Sequence, residues 1–223
     1  MTSLRTLGVL TLAVAPLCAH DVGSQITWSR EVSRFTAKHC ASCHRDGGSA
    51  FSLATYEQAK PKAGAMAKAV RERRMPPAGI VKGFGDLKDD ESLTQEQIEL
   101  ITGWVESGAL EGDKGLLAKE PPGAATAKAA ETTGTEFPVE GSRKLDAPMT
   151  FAGISAKALK SESVKVTVQR PNGDVEPLVW FYRYDVKSPR TYWFRKAITL
   201  PAGSRIVVSD PSAIALIARS PAH

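Results

Sequence analysis

Cysteine and histidine are both scarce in this chain, with three cysteines and four histidines among 223 residues. So few cysteines exclude the disulfide framework on which many small secreted domains depend. A structural zinc site is excluded as well, because it would need a second Cys/His pair beside Cys40 and Cys43, and the chain contains none. The candidate chemistry therefore rests on a single cysteine pair.

Charge of neither sign dominates the chain. The net charge is +5 at pH 7 and the pI is near 9.1, while 42% of the residues are hydrophobic and 24% are charged. These proportions are ordinary for a globular protein, and the length allows one large or two small domains. A modest basic excess favours acidic partners. No nucleic-acid-binding motif accompanies it, so we do not expect nucleic acid as a partner.

The first residues have the pattern of an export signal. Arg5 provides the positive start, residues 7–17 are almost continuously apolar, and Ala19 offers a small residue at a cleavage point. This apolar stretch is too short to anchor the mature chain in a bilayer. We therefore predict a signal peptide over residues 1–19 and a periplasmic or otherwise exported protein. Lipidation of Cys18 is the alternative, although the two residues before it match that pattern poorly.

Residues 40–44, with the sequence CASCH, contain two cysteines and a directly following histidine. This spacing is typical of c-type haem attachment, in which both thiols form thioethers and the imidazole faces the iron. A thioredoxin-like redox pair would require a βαβ context that the flanking sequence lacks. The motif predicts one covalent haem c per chain, held by Cys40 and Cys43, with His44 as an axial ligand. Since signal cleavage would remove Cys18, no cysteine would remain for a disulfide.

A second axial ligand is predicted at Met75, which directly precedes Pro76 and Pro77. The two prolines prevent a helix from continuing and hold the thioether on a rigid extended loop. A thioether bound to haem iron favours the ferrous state and raises the reduction potential. Met66 is the alternative, but it lies among alanines in a helical segment, where methionine is more often core filler. His39 directly precedes the motif and is expected to be solvated.

Helical patterns flank the motif on both sides. Residues 28–38 predict a short helix that leads into it, and residues 56–74 predict another that is kinked near Pro61. A further helix begins at Thr94, where Gln97 completes a capping box. Gly108 is predicted to end this helix. Its predicted buried positions are Ile98, Ile101, Trp104 and Val105.

Taken in this order, these residues resemble a monohaem cytochrome c domain over residues 28–113. More narrowly, GGSAFSL at 47–53, RMPP at 74–77 and GFGD at 83–86 are similar to the small cytochrome c modules at the head of bacterial multidomain oxidoreductases. The resemblance implies an all-α cytochrome c fold, which we assign to residues 25–113.

One position departs from the pattern of that family. A proline commonly follows the glycine loop there, and its carbonyl often orients the axial imidazole. In this chain Ala50 is followed directly by Phe51, without that proline. The acceptor for the second ring N–H of His44 is therefore left open, although some acceptor is expected.

The composition changes after residue 113. Residues 114–140 are rich in Ala, Pro, Gly, Thr and Lys, which predicts a linker. Over residues 141–223 apolar and polar residues alternate, and PNGD at 171–174 predicts a hairpin turn. The predicted strands include 164–168, 175–184, 192–200, 205–208 and 214–218. The fold class predicted for the whole chain is thus an all-α cytochrome c fold followed by a small antiparallel β-sandwich.

Aromatic residues are expected to make most of the core of that second domain. They are Trp180, Phe181, Tyr182, Tyr192, Trp193 and Phe194. The segments PNGDVE at 171–176 and LPAGS at 200–204 are faintly similar to the last strands of copper-dependent, ascorbate-using monooxygenases. A type 2 copper site needs several imidazoles, whereas only His223 is found from residue 141 onward. We therefore predict a non-catalytic β domain.

The predicted function is exported electron transfer through a His/Met-ligated haem, and an electron carrier is favoured over an enzyme. The expected partners are redox proteins, including ones with acidic surfaces, because a basic run leads up to the Met75 loop. The basic residues are Lys60, Lys62, Lys68, Arg71, Arg73 and Arg74. The β domain is expected to dock the protein to a larger complex. The alternative is a haem- or copper-dependent oxidoreductase in which the haem supplies electrons to a catalytic β domain.

Overall fold

The computed structural model describes residues 25–117 and 134–219. The predicted signal peptide, Cys18 and most of the predicted linker lie outside these residues. No helix within the described ranges is both long and apolar enough to cross a membrane.

The first half of the described chain contains short helices joined by loops. A π-helical turn at Trp28–Val32 precedes α1, and a 3-10 turn at Lys60–Lys62 separates α2 from α3. The α-helices are α1 Ser33–His39, α2 Tyr56–Ala59, α3 Ala63–Arg71 and α4 Gln95–Glu106. The break predicted near Pro61 is confirmed, because proline cannot donate the main-chain hydrogen bond that a continuous α-helix requires.

The capping box predicted at the start of α4 is confirmed. The Thr94 hydroxyl accepts a hydrogen bond from the Gln97 main-chain N–H, and the Gln97 side chain accepts one from the Thr94 N–H. The buried side of α4 then packs on the first helical turn, with the rings of Trp104 and Trp28 6.0 Å apart. Of the predicted apolar stripe, Ile98, Ile101 and Trp104 are buried, whereas Val105 is only half-buried at its edge.

The second half forms eight antiparallel strands. They are β1 Thr135–Glu140, β2 Ser142–Lys144, β3 Met149–Ala158, β4 Ser163–Gln169, β5 Val175–Tyr182, β6 Thr191–Leu200, β7 Arg205–Val208 and β8 Ala213–Ala218. One sheet has the strand order β1-β8-β3-β6 and the other has the order β2-β7-β4-β5. The two sheets share one apolar core. Strands β5 and β6 are therefore both edge strands.

The predicted β4–β5 hairpin is confirmed. The N–H of Arg170 donates to the carbonyl of Asp174 at 2.8 Å, and the N–H of Gly173 donates to the carbonyl of Arg170 at 2.9 Å. The predicted aromatic core is wrong in its composition. Only Phe181 and Phe194 of the six aromatic residues are buried, and aliphatic side chains fill most of the space between the sheets.

Residues 75–88, which we call the Met75 loop, lie between α3 and α4 and pack against the second half of the structure. Main-chain bridges pair Ile80 with Phe181 of β5 and Leu87 with Phe194 of β6. The side chains of Ala78, Ile80 and Leu87 are buried in the core of the sheets. The loop therefore covers the edge strand of each sheet on one side of the molecule.

The predicted fold class, an all-α cytochrome c fold followed by a small antiparallel β-sandwich, is wrong. The described chain is mostly β, and its helices are short, α4 being 12 residues long. The physical reason lies in the Met75 loop, whose apolar residues Ala78, Ile80 and Leu87 pack in the core of the sheets and not in the separate core between the helices. The predicted boundaries at residues 113 and 140 stay predictions, and β1 lies within the range predicted as a linker.

Candidate haem-attachment site

The CASCH motif begins where α1 ends. The N–H of Cys40 donates to the Thr36 carbonyl at 2.9 Å, which is the last hydrogen bond of the helix. The Cys40 carbonyl then accepts from the N–H groups of Cys43 and His44, at 3.1 and 2.8 Å. This turn fixes the three candidate attachment residues within a single short main-chain segment.

Both cysteines are free thiols, Cys40 half-buried and Cys43 exposed. Burial raises the pKa of the Cys40 thiol from 9.0 to about 12. A thiol-disulfide enzyme lowers the pKa of its attacking cysteine, because the thiolate is the nucleophile. Burial of Cys40 acts in the opposite direction.

The imidazole of His44 is oriented by a main-chain carbonyl. Its Nδ1 lies 2.8 Å from the carbonyl oxygen of Phe51, and the two rings meet edge-on with their centroids 4.7 Å apart. A carbonyl oxygen can only accept a hydrogen bond, so Nδ1 carries the proton and the lone pair of the neutral ring lies on Nε2. The residue that follows Ala50 thus supplies the acceptor that the sequence leaves open.

The loop after His44 folds back on the motif. Main-chain hydrogen bonds join the N–H of Ala50 to the Cys43 carbonyl at 3.2 Å and the N–H of Leu53 to the His44 carbonyl at 3.0 Å. A Cβ on Gly48 would overlap the carbonyl oxygen of Cys43. A glycine is therefore needed here for the close approach of two main-chain segments.

Gln58 is a further residue that holds this loop, and the sequence interpretation missed it. Its side-chain amide donates to Asp46 Oδ1 at 3.2 Å, and its carbonyl accepts from the Ser52 hydroxyl at 2.9 Å. Gln58 also closes a capping box with Thr55 at the start of α2. The T-x-x-Q spacing of Thr55 and Gln58 is the sequence signal that could have indicated it.

Met75 follows α3, so the two predicted axial ligands come from separate loops. Its side chain is 42% exposed, and it borders a small cavity that is also lined by Pro76, Leu93 and Ile98. The alternative ligand, Met66, is instead buried in the core between the helices. That burial supports core filling as the role of Met66.

The donor set fits a haem c. His44 offers Nε2, Met75 offers an accessible thioether, and the two thiols have the attachment spacing. Phe51, 52% exposed beside His44, provides apolar surface of the kind that a porphyrin face covers. The fit rests on the chemistry and exposure of these side chains.

No protein-family model, curated protein or solved structure matches this chain. The resemblance noted in the sequence therefore stays a prediction carried by its motifs.

His39 is the remaining histidine among the described residues, and the prediction that it is solvated is wrong. It is half-buried, its ring stacks 4.8 Å from the ring of Phe35, and its Nε2 lies 3.2 Å from the side-chain nitrogen of Gln97. Burial, with Lys38 and Lys82 nearby, lowers the pKa of His39. In the described parts of the chain, no cluster of three or more His, Cys, Asp or Glu side chains could hold a metal ion.

Proposed function

We propose that this protein carries single electrons in an exported compartment, through one haem c attached to Cys40 and Cys43. The observation that carries the proposal is the His44 Nδ1 contact with the Phe51 carbonyl. Axial histidines need such an acceptor on the far ring nitrogen, because it fixes the tautomer and the ring orientation. A CxxCH motif with its histidine already oriented in this way is better explained by haem attachment than by coincidence.

Each residue of the site has a distinct part. The haem, when bound, supplies one-electron oxidation and reduction of iron. His44 presents Nε2 in a fixed orientation, and His44 and Met75 are the residues that would hold the iron. If both side chains were bound, no position would be left for a substrate, which favours electron transfer over catalysis.

The basic run supports an acidic redox partner, but only part of it is available. Arg71 pairs with Glu106 and Arg74 pairs with Glu72, each at 2.7 Å. Lys62 is exposed, and its ammonium lies 5.5 Å from the centre of the Phe51 ring. We propose that an acidic partner approaches at Lys62, because this charge stands beside the candidate site. The two sheets would then be free to dock to a larger complex through a different surface.

Production in a bacterial periplasm together with a haem-attachment system tests the proposal. We expect a cleaved chain whose mass includes one haem after denaturation, and an absorption spectrum that changes on reduction. The Cys40→Ala and Cys43→Ala double variant should lack the covalent haem, whereas His39→Gln, the matched control, should keep it. A wild-type protein without covalent haem would overturn the proposal.

Carbon monoxide and metal analysis separate the carrier from an enzyme. A haem closed by His44 and Met75 should not bind carbon monoxide readily at neutral pH. Ready binding by the wild-type protein, or stoichiometric copper in it, would instead support an oxidoreductase with an open metal position.

A further inference from the structure

The Met75 loop is held by main-chain hydrogen bonds to both edge strands. On β5, the N–H of Val81 donates to the Trp180 carbonyl at 3.0 Å, and the Gly79 carbonyl accepts from the N–H of Tyr182 at 3.1 Å. On β6, the N–H of Lys88 donates to the Trp193 carbonyl at 2.7 Å. The segment that begins at the candidate ligand thus pairs with the sheets like a short additional strand on each edge.

One side chain of β6 reaches the beginning of this loop. The hydroxyl of Tyr192 donates to the Ala78 carbonyl at 2.6 Å, three residues after Met75. The N–H of Ala78 in turn donates to the Pro76 carbonyl at 2.7 Å. The hydrogen bonds from Tyr192 therefore lead back, through a tight turn, to the carbonyl of Pro76, the residue that follows Met75.

The Tyr192 ring is itself fixed by its neighbours. Its centroid lies 5.8 Å from that of Phe181 and 6.3 Å from that of Tyr184. A Cβ on Gly79 would come within 2.9 Å of the Tyr184 ring and 3.1 Å of the Tyr192 hydroxyl, so only glycine allows the loop to approach this closely. Burial, with Tyr184 nearby, raises the pKa of Tyr192 further above its ordinary value.

A second anchor lies at the other end of the loop. Arg195 of β6 donates from Nε to Asp86 Oδ1 at 3.0 Å and from a terminal nitrogen to the Leu87 carbonyl at 3.2 Å. Its side chain is 62% exposed, so this anchor is weaker than the half-buried contact at Tyr192.

We propose that Tyr192 is a positioning residue for Met75, acting through its hydrogen bond to the Ala78 carbonyl. The inference rests on the proposed function, because it concerns the thioether as a haem ligand. An exposed methionine on an unrestrained loop would dissociate readily from the metal. The hydrogen bonds to the edge strands β5 and β6 restrict the movement of the Met75 loop and so disfavour this dissociation. The sheets thus have a part in the site itself, beyond any role in docking.

The test uses the haem-loaded full-length protein and the variant Tyr192→Phe, which removes the hydroxyl and keeps the ring. Loss of one hydrogen bond should shift the balance between methionine-bound and methionine-free forms about fivefold. We expect a weaker methionine-to-iron charge-transfer band, faster binding of carbon monoxide and a lower reduction potential. Tyr182→Phe is the matched control, because the Tyr182 hydroxyl makes no hydrogen bond with the described residues. It should leave all three readouts unchanged.

Failure of the inference differs from failure of the proposed function. If Met75→Ala abolishes the charge-transfer band while Tyr192→Phe behaves like Tyr182→Phe, the ligand assignment stands and the positioning role is overturned. If the wild-type protein lacks covalent haem or the band, the proposed function fails instead. Should Tyr192→Phe not fold, Gly79→Ala provides the second variant, because its methyl group would come within 3.1 Å of the Tyr192 hydroxyl and disturb its contact with the Ala78 carbonyl. It should shift the same readouts in the same direction, and a folded, haem-loaded Gly79→Ala protein without any shift would overturn the inference.

Discussion

His44 and Phe51 are joined by a 2.8 Å contact between the imidazole Nδ1 and a main-chain carbonyl oxygen. The acceptor is a main-chain oxygen, so its position depends on the path of the loop from His44 to Leu53. It does not depend on which side chain is present at residue 51. The loop path in turn depends on Gly48, which lies against the Cys43 carbonyl. The orientation of the candidate ligand is thus a property of the whole turn.

The first prediction concerns Gly48. In Gly48→Ala the new methyl group would overlap the Cys43 carbonyl, so the loop must shift, at a cost of about 1–3 kcal/mol. We expect a lower thermal midpoint and less haem attachment. Gly64→Ala is the control, because a Cβ there meets no atom within 4 Å and Gly64 lies in α3. It should stabilise the protein by about 0.5–1 kcal/mol. Equal effects of the two substitutions would contradict the role of Gly48.

The two methionines should respond to substitution in opposite ways. Met75→Ala should let the haem-loaded protein bind carbon monoxide and should lower its reduction potential, with little effect on unfolding of the haem-free chain, since Met75 is exposed. Met66→Ala should leave the spectrum unchanged but destabilise the protein by about 2–5 kcal/mol, because it creates a cavity in the core. If Met66→Ala opened the haem to carbon monoxide, the ligand assignment would be wrong.

A third prediction uses the two thiols of the haem-free protein, measured in a Cys18→Ser background. Since burial raises the pKa of Cys40 to about 12, its thiolate is rare at pH 8, whereas Cys43 is exposed. Iodoacetamide should therefore modify Cys43 at least about tenfold faster than Cys40, as followed by peptide mass spectrometry. Unfolding in urea should remove the difference.

The same pKa shift predicts how stability depends on pH. Burial raises the pKa of the Cys40 thiol from its ordinary 9.0 to about 12, so between these values the unfolded chain binds fewer protons than the folded one. Stability of the haem-free protein should accordingly fall as the pH rises above about 9. The raised pKa of Tyr192 acts in the same direction. Urea titrations of Cys40→Ala should show a shallower decline than the wild-type protein, and an unchanged slope would contradict this assignment.

Gly83 and Gly85 provide a matched pair within the Met75 loop. Both have positive φ, at 80° and 92°, so alanine at either position costs about 1–2 kcal/mol in backbone strain. A Cβ on Gly85 would also overlap the Leu178 carbonyl of β5, whereas one on Gly83 meets nothing within 4 Å. Gly85→Ala should therefore destabilise the protein further than Gly83→Ala. It should also speed hydrogen exchange at Val81 and Lys88, and identical exchange in the two variants would show that the loop is not held at β5.

Local features of the structure were predictable from the sequence because neighbouring residues determine them. The capping box of Thr94 and Gln97, the break at Pro61 and the PNGD hairpin each depend on contacts within a few positions of the chain. Strand β3 was missed for the opposite reason. It is buried along most of its length between β8 and β6, so no alternation of apolar and polar residues marks it.

By itself, the sequence determined the spacing of Cys40, Cys43 and His44, since covalent order places them within one turn. It also indicated Met75 as the candidate ligand, because prolines follow it. Only the tertiary structure decided that the apolar residues of the Met75 loop join the core of the sheets, which overturned the predicted all-α cytochrome c fold followed by a separate β-sandwich. It also decided that Tyr192 reaches Ala78 from 114 residues away. Such long-range contacts depend on which apolar surfaces pack together when the chain folds. Local sequence patterns do not contain this information.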